Sequence, residues 1–156
     1  MAKYKEELPN EIIKQLEDLE KNCTDIFKEM TQEGAEVVKR NVVANMRKSF
    51  KTTKVLEGGL RVTKAYKTPS DDGINTHIGF YGYDNTSKPT KSFPRGTPIP
   101  LIAMAREYGS YGSNAKSKSN KKTKGEKKVA FFRKSFKKNE IEETMKQVQD
   151  KYIKGD

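Results

Sequence analysis

Apolar residues recur along the first third of the chain at Ile12, Leu16, Leu19, Cys23, Ile26 and Met30, with gaps of 4, 3, 4, 3 and 4. That spacing lays a single apolar stripe along a helix. Val38, Val42 and Met46 continue it, while Val37 and Val43 widen it. Pro9 and Asn10 stand at its start, with Asn10 as the cap. Gly34 interrupts the pattern at a cost of about 1 kcal/mol relative to alanine, and marks the place for any kink or break. A short domain needs this face for its own core, so the stripe predicts packing within the subunit for most of its length. Cys23 then reads as a small buried hydrophobe rather than a reactive thiol. The other reading of so long a helix in so small a chain is packing on a neighbouring copy.

The period then changes from three and a half to two. Leu60, Val62, Lys64 and Tyr66 alternate with Arg61, Thr63, Ala65 and Lys67; Ile74, Thr76, Ile78 and Phe80 alternate with Asn75, His77, Gly79 and Tyr81. Between them Thr68, Pro69, Ser70, Asp71, Asp72 and Gly73 supply turn chemistry, so the two runs predict an antiparallel hairpin covered on one side. Gly58 and Gly59 make a flexible lead-in. Residues 82–100 hold Pro89, Pro94, Pro98 and Pro100 and predict a loop, since proline at that density neither donates to a ladder nor sits inside a helix. A loop that long in a small domain points to contact with a partner, with Pro89, Phe93, Pro94, Arg95 and Pro98 as its candidate assembly residues. Leu101, Ile102, Met104 and Ala105 predict a short helix ending at Glu107 and Tyr108, with Gly109 as its stop.

Residues 110–128 are Ser, Gly, Asn and Lys with almost nothing to bury, and predict a second long loop, disordered in the isolated subunit. Val129, Ala130, Phe131 and Phe132 follow as a final strand or an extended lead-in. Phe136, Ile141, Met145, Val148 and Tyr152 then define a closing helix over 135–153, or from 139 if Asn139 and the acids behind it mark its first turn. The order predicts an α+β fold: one domain over 1–156, with a long N-terminal helix and a C-terminal helix packed on one antiparallel β-sheet.

Composition sharpens this picture. Of 156 residues, 33% are hydrophobic, so the few apolar positions must be well placed for the chain to fold. No window is apolar enough to cross a bilayer and the first residues lack a signal-peptide core, which predicts a soluble protein made inside the cell with no membrane partner. The net charge is +11, and its distribution is uneven. Residues 110–138 carry eleven basic side chains against Glu126 alone. Lys116, Lys118, Lys121, Lys122, Lys124, Lys127 and Lys128 are the candidate contacts to a polyanion or protein partner. The scarcity of arginine and of interleaved aromatics argues against sequence-specific reading of nucleic acid.

Catalytic material is thin. One cysteine excludes an intrachain disulfide and a multi-cysteine zinc site. His77, the single histidine, lies on the polar face of a strand with only Asn75 and Thr76 near it in sequence, too little for a general acid–base pair. Asp71 and Asp72 are better explained by turn formation than by cation binding. No glycine-rich phosphate loop is present. The expectation is a protein that is not an enzyme and holds no cofactor or metal.

Several short stretches resemble the small tail-component proteins of tailed bacteriophages and prophages, of the tail-completion or head–tail joining type. They are Ala35, Glu36, Val37 and Val38 running to Ala44 late in the first helix; Gly59, Leu60 and Arg61 opening the hairpin; Ala105, Arg106, Glu107, Tyr108, Gly109 and Ser110 at a helix end; and Phe131, Phe132, Arg133, Lys134, Ser135 and Phe136 before the last helix. The family commonly shows aromatic, Leu, Arg and Pro in that last run, whereas this chain has Phe132 for the leucine and Lys134 for the proline. The resemblance implies a structural virion protein of the tail or neck, made in the bacterial cytoplasm. It further implies a ring of identical copies against neighbouring neck or tail proteins, near DNA in the channel. Glu107, Tyr108, Gly109, Phe131, Phe132 and Arg133 are the residues that carry it. The alternative expectation is a basic nucleic-acid-binding protein that uses the 110–138 segment; a small hydrolase built on His77 is a distant third.

Overall fold

A computed structural model describes residues 10–70, 73–86, 88–109 and 127–154. It is mixed helix and sheet. Helix α1 (Asn10–Ser49) is followed by α2 (Lys54–Gly59), strands β1 (Leu60–Val62), β2 (Tyr66–Lys67), β3 (Ile74–Asn75), β4 (Ile78–Phe80), β5 (Tyr83–Asp84) and β6 (Thr97–Pro98), helix α3 (Ile99–Tyr108), a 3-10 turn (Arg133–Ser135) and α4 (Lys138–Lys154).

The core lies at the C-terminal half of α1. Val38, Val42 and Met46, one helical turn apart, are buried with Leu56, Leu60, Ile99, Ala103 and Phe131. Phe131 is 1% exposed, and its ring meets Phe50 edge-on at 5.4 Å and Phe80 at 6.1 Å. The sequence pattern located this part of the stripe correctly.

Helix α4 runs antiparallel along the middle of α1. Asn41 Nδ2 donates to Glu140 Oε2 at 2.8 Å, Gly34 faces Met145 and Ile141, and Glu29 accepts from Lys151 and Tyr152. One turn along from Asn41, Asn45 Nδ2 donates to the fully buried Ser135 hydroxyl at 2.8 Å, which donates in turn to the Phe131 carbonyl at 2.7 Å. The helix runs through Gly34 without a break. A Cβ there would lie 2.8 Å from Met145 Cε, so the glycine serves close helix approach rather than a kink. The later start expected for α4, near 139, is the one found, and Val129 to Phe132 form a lead-in rather than a strand.

The expected single sheet is instead three two-stranded antiparallel ladders, β1 with β4, β2 with β3, and β5 with β6. The hairpin predicted over 60–81 exists but is broken. Val62 pairs with Ile78 whereas Tyr66 pairs with Asn75, so residues 63–65 stand opposite 76 and 77. One extra residue unpairs the ladder there and ends the strict alternation. His77 falls in this gap and not within a strand. Its N–H donates to Thr63 Oγ1 at 2.9 Å, and its exposed ring lies 6.3 Å from that of Tyr81. The hairpin is tied to α1 by the Ala65 N–H to Gln32 Oε1 and the Thr76 hydroxyl to that of Thr31, each at 3.1 Å.

Two further expectations are corrected. Gly58 and Gly59 close α2 instead of forming a flexible lead-in. Gly59 is buried, and a Cβ there would come within 2.7 Å of Ile99 Cγ2 and 2.9 Å of the Tyr81 carbonyl. The proline-rich stretch 82–100 is a loop only in its middle. Tyr83 pairs with Pro98 and Asp84 with Thr97, and α3 starts at Ile99 with Pro100 in its first turn. Proline is tolerated at Pro98 because a two-residue edge ladder asks little of its missing N–H, and at Pro100 because first-turn N–H groups have no intrahelical acceptor.

Helix α2 is anchored to α1 by a charged pair. Arg47 Nη2 and Nε donate to the Glu57 carboxylate at 2.7 and 2.9 Å, and the Thr53 hydroxyl donates at 2.6 Å. Arg47 first, then Thr53, hold the Glu57 pKa down from 4.5 to about 2. Because the folded value lies below the unfolded one, this contribution is complete above about pH 4.5 and fades as pH falls toward 2. Urea midpoints of the wild type and Glu57→Gln are therefore expected to differ most at neutral pH and to converge near pH 2. Parallel curves across that window would show that Glu57 carries no such linkage.

Candidate assembly surface

The residues singled out around 107 and 131 come together at the end of α3. The buried carboxylate of Glu107 accepts from the Phe132 N–H at 2.8 Å, from the Arg133 N–H at 3.3 Å and from Arg133 Nε at 2.9 Å. The Arg133 guanidinium then lies 5.0 Å over the Tyr108 ring, which combines an ion pair with a cation–π contact. Gly109 ends the helix at φ 82°, as its position predicts. The Val129 and Ala130 N–H groups donate to the Arg106 and Glu107 carbonyls, so the chain rejoins α3 where it left it. Ala130 sits at φ 56°, a left-handed conformation that turns Phe131 into the core. Glu107 was expected mainly to mark where a loop departs; it is instead the acceptor that fixes the returning segment.

Beside this junction lies an apolar groove of 240 Å³ whose wall includes Met104, Tyr108, Phe132 and Arg133. Leu101, Met104 and Tyr108 form a row along α3 that is 44, 58 and 57% exposed. Phe136, half exposed, extends the surface through its ring contact with Phe132 at 5.4 Å. The adjoining segment 127–138 holds six basic side chains and no acid, and of these Arg133, Lys137 and Lys138 pair with Glu107, Glu140 and Glu142. Lys127 and Lys128 are exposed at the start of this run. Lys116, Lys118, Lys121, Lys122 and Lys124 lie outside the described residues, as do Asp71 and Asp72.

Compared with known proteins, the chain matches no protein-family model, no curated protein and no solved structure.

The candidate residues of the 82–100 stretch divide between its middle and its stem. Pro89, Pro94 and Arg95 are exposed at its tip, Phe93 is half-buried in a turn closed by reciprocal backbone bonds with Thr90, and Pro98 belongs to the β5–β6 stem. A second surface went unforeseen. The first part of α1 was expected to pack within the subunit, yet Ile12 and Leu16 are 42 and 55% exposed and Cys23 is exposed as well. The cause is geometric. As α4 advances from Glu140 to Tyr152, its partner on α1 recedes from Asn41 to Glu29, so the first turns of α1 project past the described end of α4. Where the two helices part, Ile26, Phe27, Met30, Tyr152 and Ile153 line a largely apolar groove of 340 Å³. The signal available in the sequence was the arithmetic of lengths: a stripe running from Ile12 to Met46 is far longer than the closing helix expected over 135–153.

Among the described residues, no group of three or more His, Cys, Asp or Glu is gathered as a metal site, and no helix is long and apolar enough to cross a membrane.

Proposed function

We propose that this chain is a non-enzymatic structural component of a tailed-phage or prophage particle. It forms a homo-oligomeric ring at the tail end or head–tail junction and contacts adjoining neck or tail proteins. One observation carries this reading: Ile12, Leu16 and Cys23, all on the apolar stripe of α1, stand exposed along its first part. A lone molecule gains nothing by exposing such a row, whereas an assembling one buries it. The resemblance to tail-completion and head–tail joining proteins names the kind of assembly, and its residues Glu107, Tyr108, Phe132 and Arg133 form one bonded cluster here. The apolar surface beside that cluster gives a second place for protein contact.

The rival reading, a basic protein that binds nucleic acid, is favoured by the acid-free run 127–138. One pair of measurements separates the two: mass in solution across concentration with negative-stain imaging, and binding to non-specific duplex DNA across salt. The expected result is a discrete oligomer of annular outline that grows in with concentration. A chain that stays monomeric and binds duplex with a steep negative salt slope belongs to the rival reading.

A further inference from the structure

The two exposed apolar surfaces differ in charge as well as position. Along the projecting part of α1 the exposed seam residues Ile12, Leu16 and Cys23 keep heptad spacing, which is the spacing of a helix that packs against a partner. Within residues 10–25 the rows bordering that seam hold Ile13 and Glu20 on one side and Asn22 on the other, with no cation among these three. Lys14 and Lys28 stand on the opposite face. Residues 10–25 carry five acidic side chains against two basic ones. Two such arms laid against each other would bring two net-negative helices together, so arm-to-arm pairing is disfavoured.

The surface on α3 has the opposite character. Leu101, Met104 and Tyr108 offer an exposed apolar row, Arg133 lies beside it with Lys134 next in the chain, and Phe136 extends it through its contact with Phe132. Its nearest carboxylate, Glu107, is buried and already bonded to Arg133. Apolar row therefore matches apolar row, and a net-negative arm matches the basic segment 127–138.

We infer that the N-terminal arm of α1 in one copy docks on the Leu101, Met104 and Tyr108 face of the next copy. An arm cannot reach its own face. Leu16 and Asn41, which stands beside the Arg133–Ser135 turn, are separated by 25 residues of continuous helix, roughly 37 Å at 1.5 Å per residue. The contact is therefore between molecules and head-to-tail: each copy gives an arm to one neighbour and a face to another. Such a contact closes into a ring when its rotation allows and otherwise propagates. This inference rests on the assembly reading above and assigns its contact surfaces.

Two variants of the full chain test it. Leu16→Lys disables the arm and Met104→Glu disables the face, with Leu101→Glu as a second face variant; all three side chains are more than two-fifths exposed, so the fold is retained. Each variant alone is expected to be monomeric by light scattering at concentrations where the wild type is oligomeric. Mixing an arm variant with a face variant restores one intact arm and one intact face, and is expected to give a one-to-one complex with the mass of two chains, loosening as salt rises. A face variant that still dimerises alone would establish arm-to-arm pairing and overturn the inference. A mixture that stays monomeric while the wild type assembles would also overturn it, yet leave the ring reading standing. A wild type that remains at 17.8 kDa at every concentration removes both.

Discussion

Replacing Phe131 with alanine is expected to lower the unfolding free energy by about 3–5 kcal/mol, the range for deleting a large buried aromatic. The ring is the largest fully buried side chain, and it stands where the three parts of the core meet. Phe50 approaches from the end of α1 and Phe80 from β4, both edge-on. Neither can swing in to fill the space, because Phe50 also lies under the Arg106 guanidinium at 4.8 Å and Phe80 also packs on Phe132. A void left in such surroundings collapses poorly, so the loss falls toward the upper part of the range. Small domains are stable by only about 5–15 kcal/mol, which makes this a large fraction of the whole. A urea titration measures it as a lower midpoint with an unchanged slope. A loss under about 1 kcal/mol would mean that the core is not centred on Phe131.

Glu107→Ala is expected to cost about 2–4 kcal/mol, by a different mechanism. The substitution removes little apolar area but takes the acceptor from the Phe132 and Arg133 N–H groups and from Arg133 Nε together. Donors left unpaired at a part-buried site carry their full desolvation penalty. Glu107→Gln keeps one oxygen acceptor and the shape but loses the charge, and is expected to recover roughly half of the loss. Hydrogen exchange distinguishes this from general weakening. The Phe132 and Arg133 amides should exchange faster in Glu107→Ala by more than the amides of α1 around Val42. Equal acceleration at both places would show that Glu107 acts only on global stability.

How far the fold could be read from sequence depends on how local each cause is. Val38, Val42 and Met46 were legible as core because helical period alone places them on one face, and the elements they meet follow within the chain. The same period could not say what covers Ile12, Leu16 and Cys23, since periodicity reveals that a face is apolar and not whether a partner reaches it. The hairpin was legible in its turn and alternation; its break was not, because the extra residue between Val62 and Tyr66 changes pairing without changing composition. Gly59 looked flexible because its neighbour Ile99 arrives from 40 positions later. Glu107 escaped for the same reason, as its partners lie 25 and 26 residues on. The basic run was visible at once, but the row it borders emerged only when α3 showed which of its sides the core had taken.

The polar pairs between α1 and the segment leading into α4 have a consequence of their own. Asn45 holds Ser135 and Asn41 holds Glu140, one turn apart on the same helix. Were the two helices to slide by a turn, Asn41 could take over Ser135, but Glu140 would then confront Val37, an aliphatic side chain with nothing to offer a carboxylate. The first pair tolerates two settings and the second only one. Together they act as a two-digit lock on helix alignment, and that alignment determines how far α1 overshoots its companion.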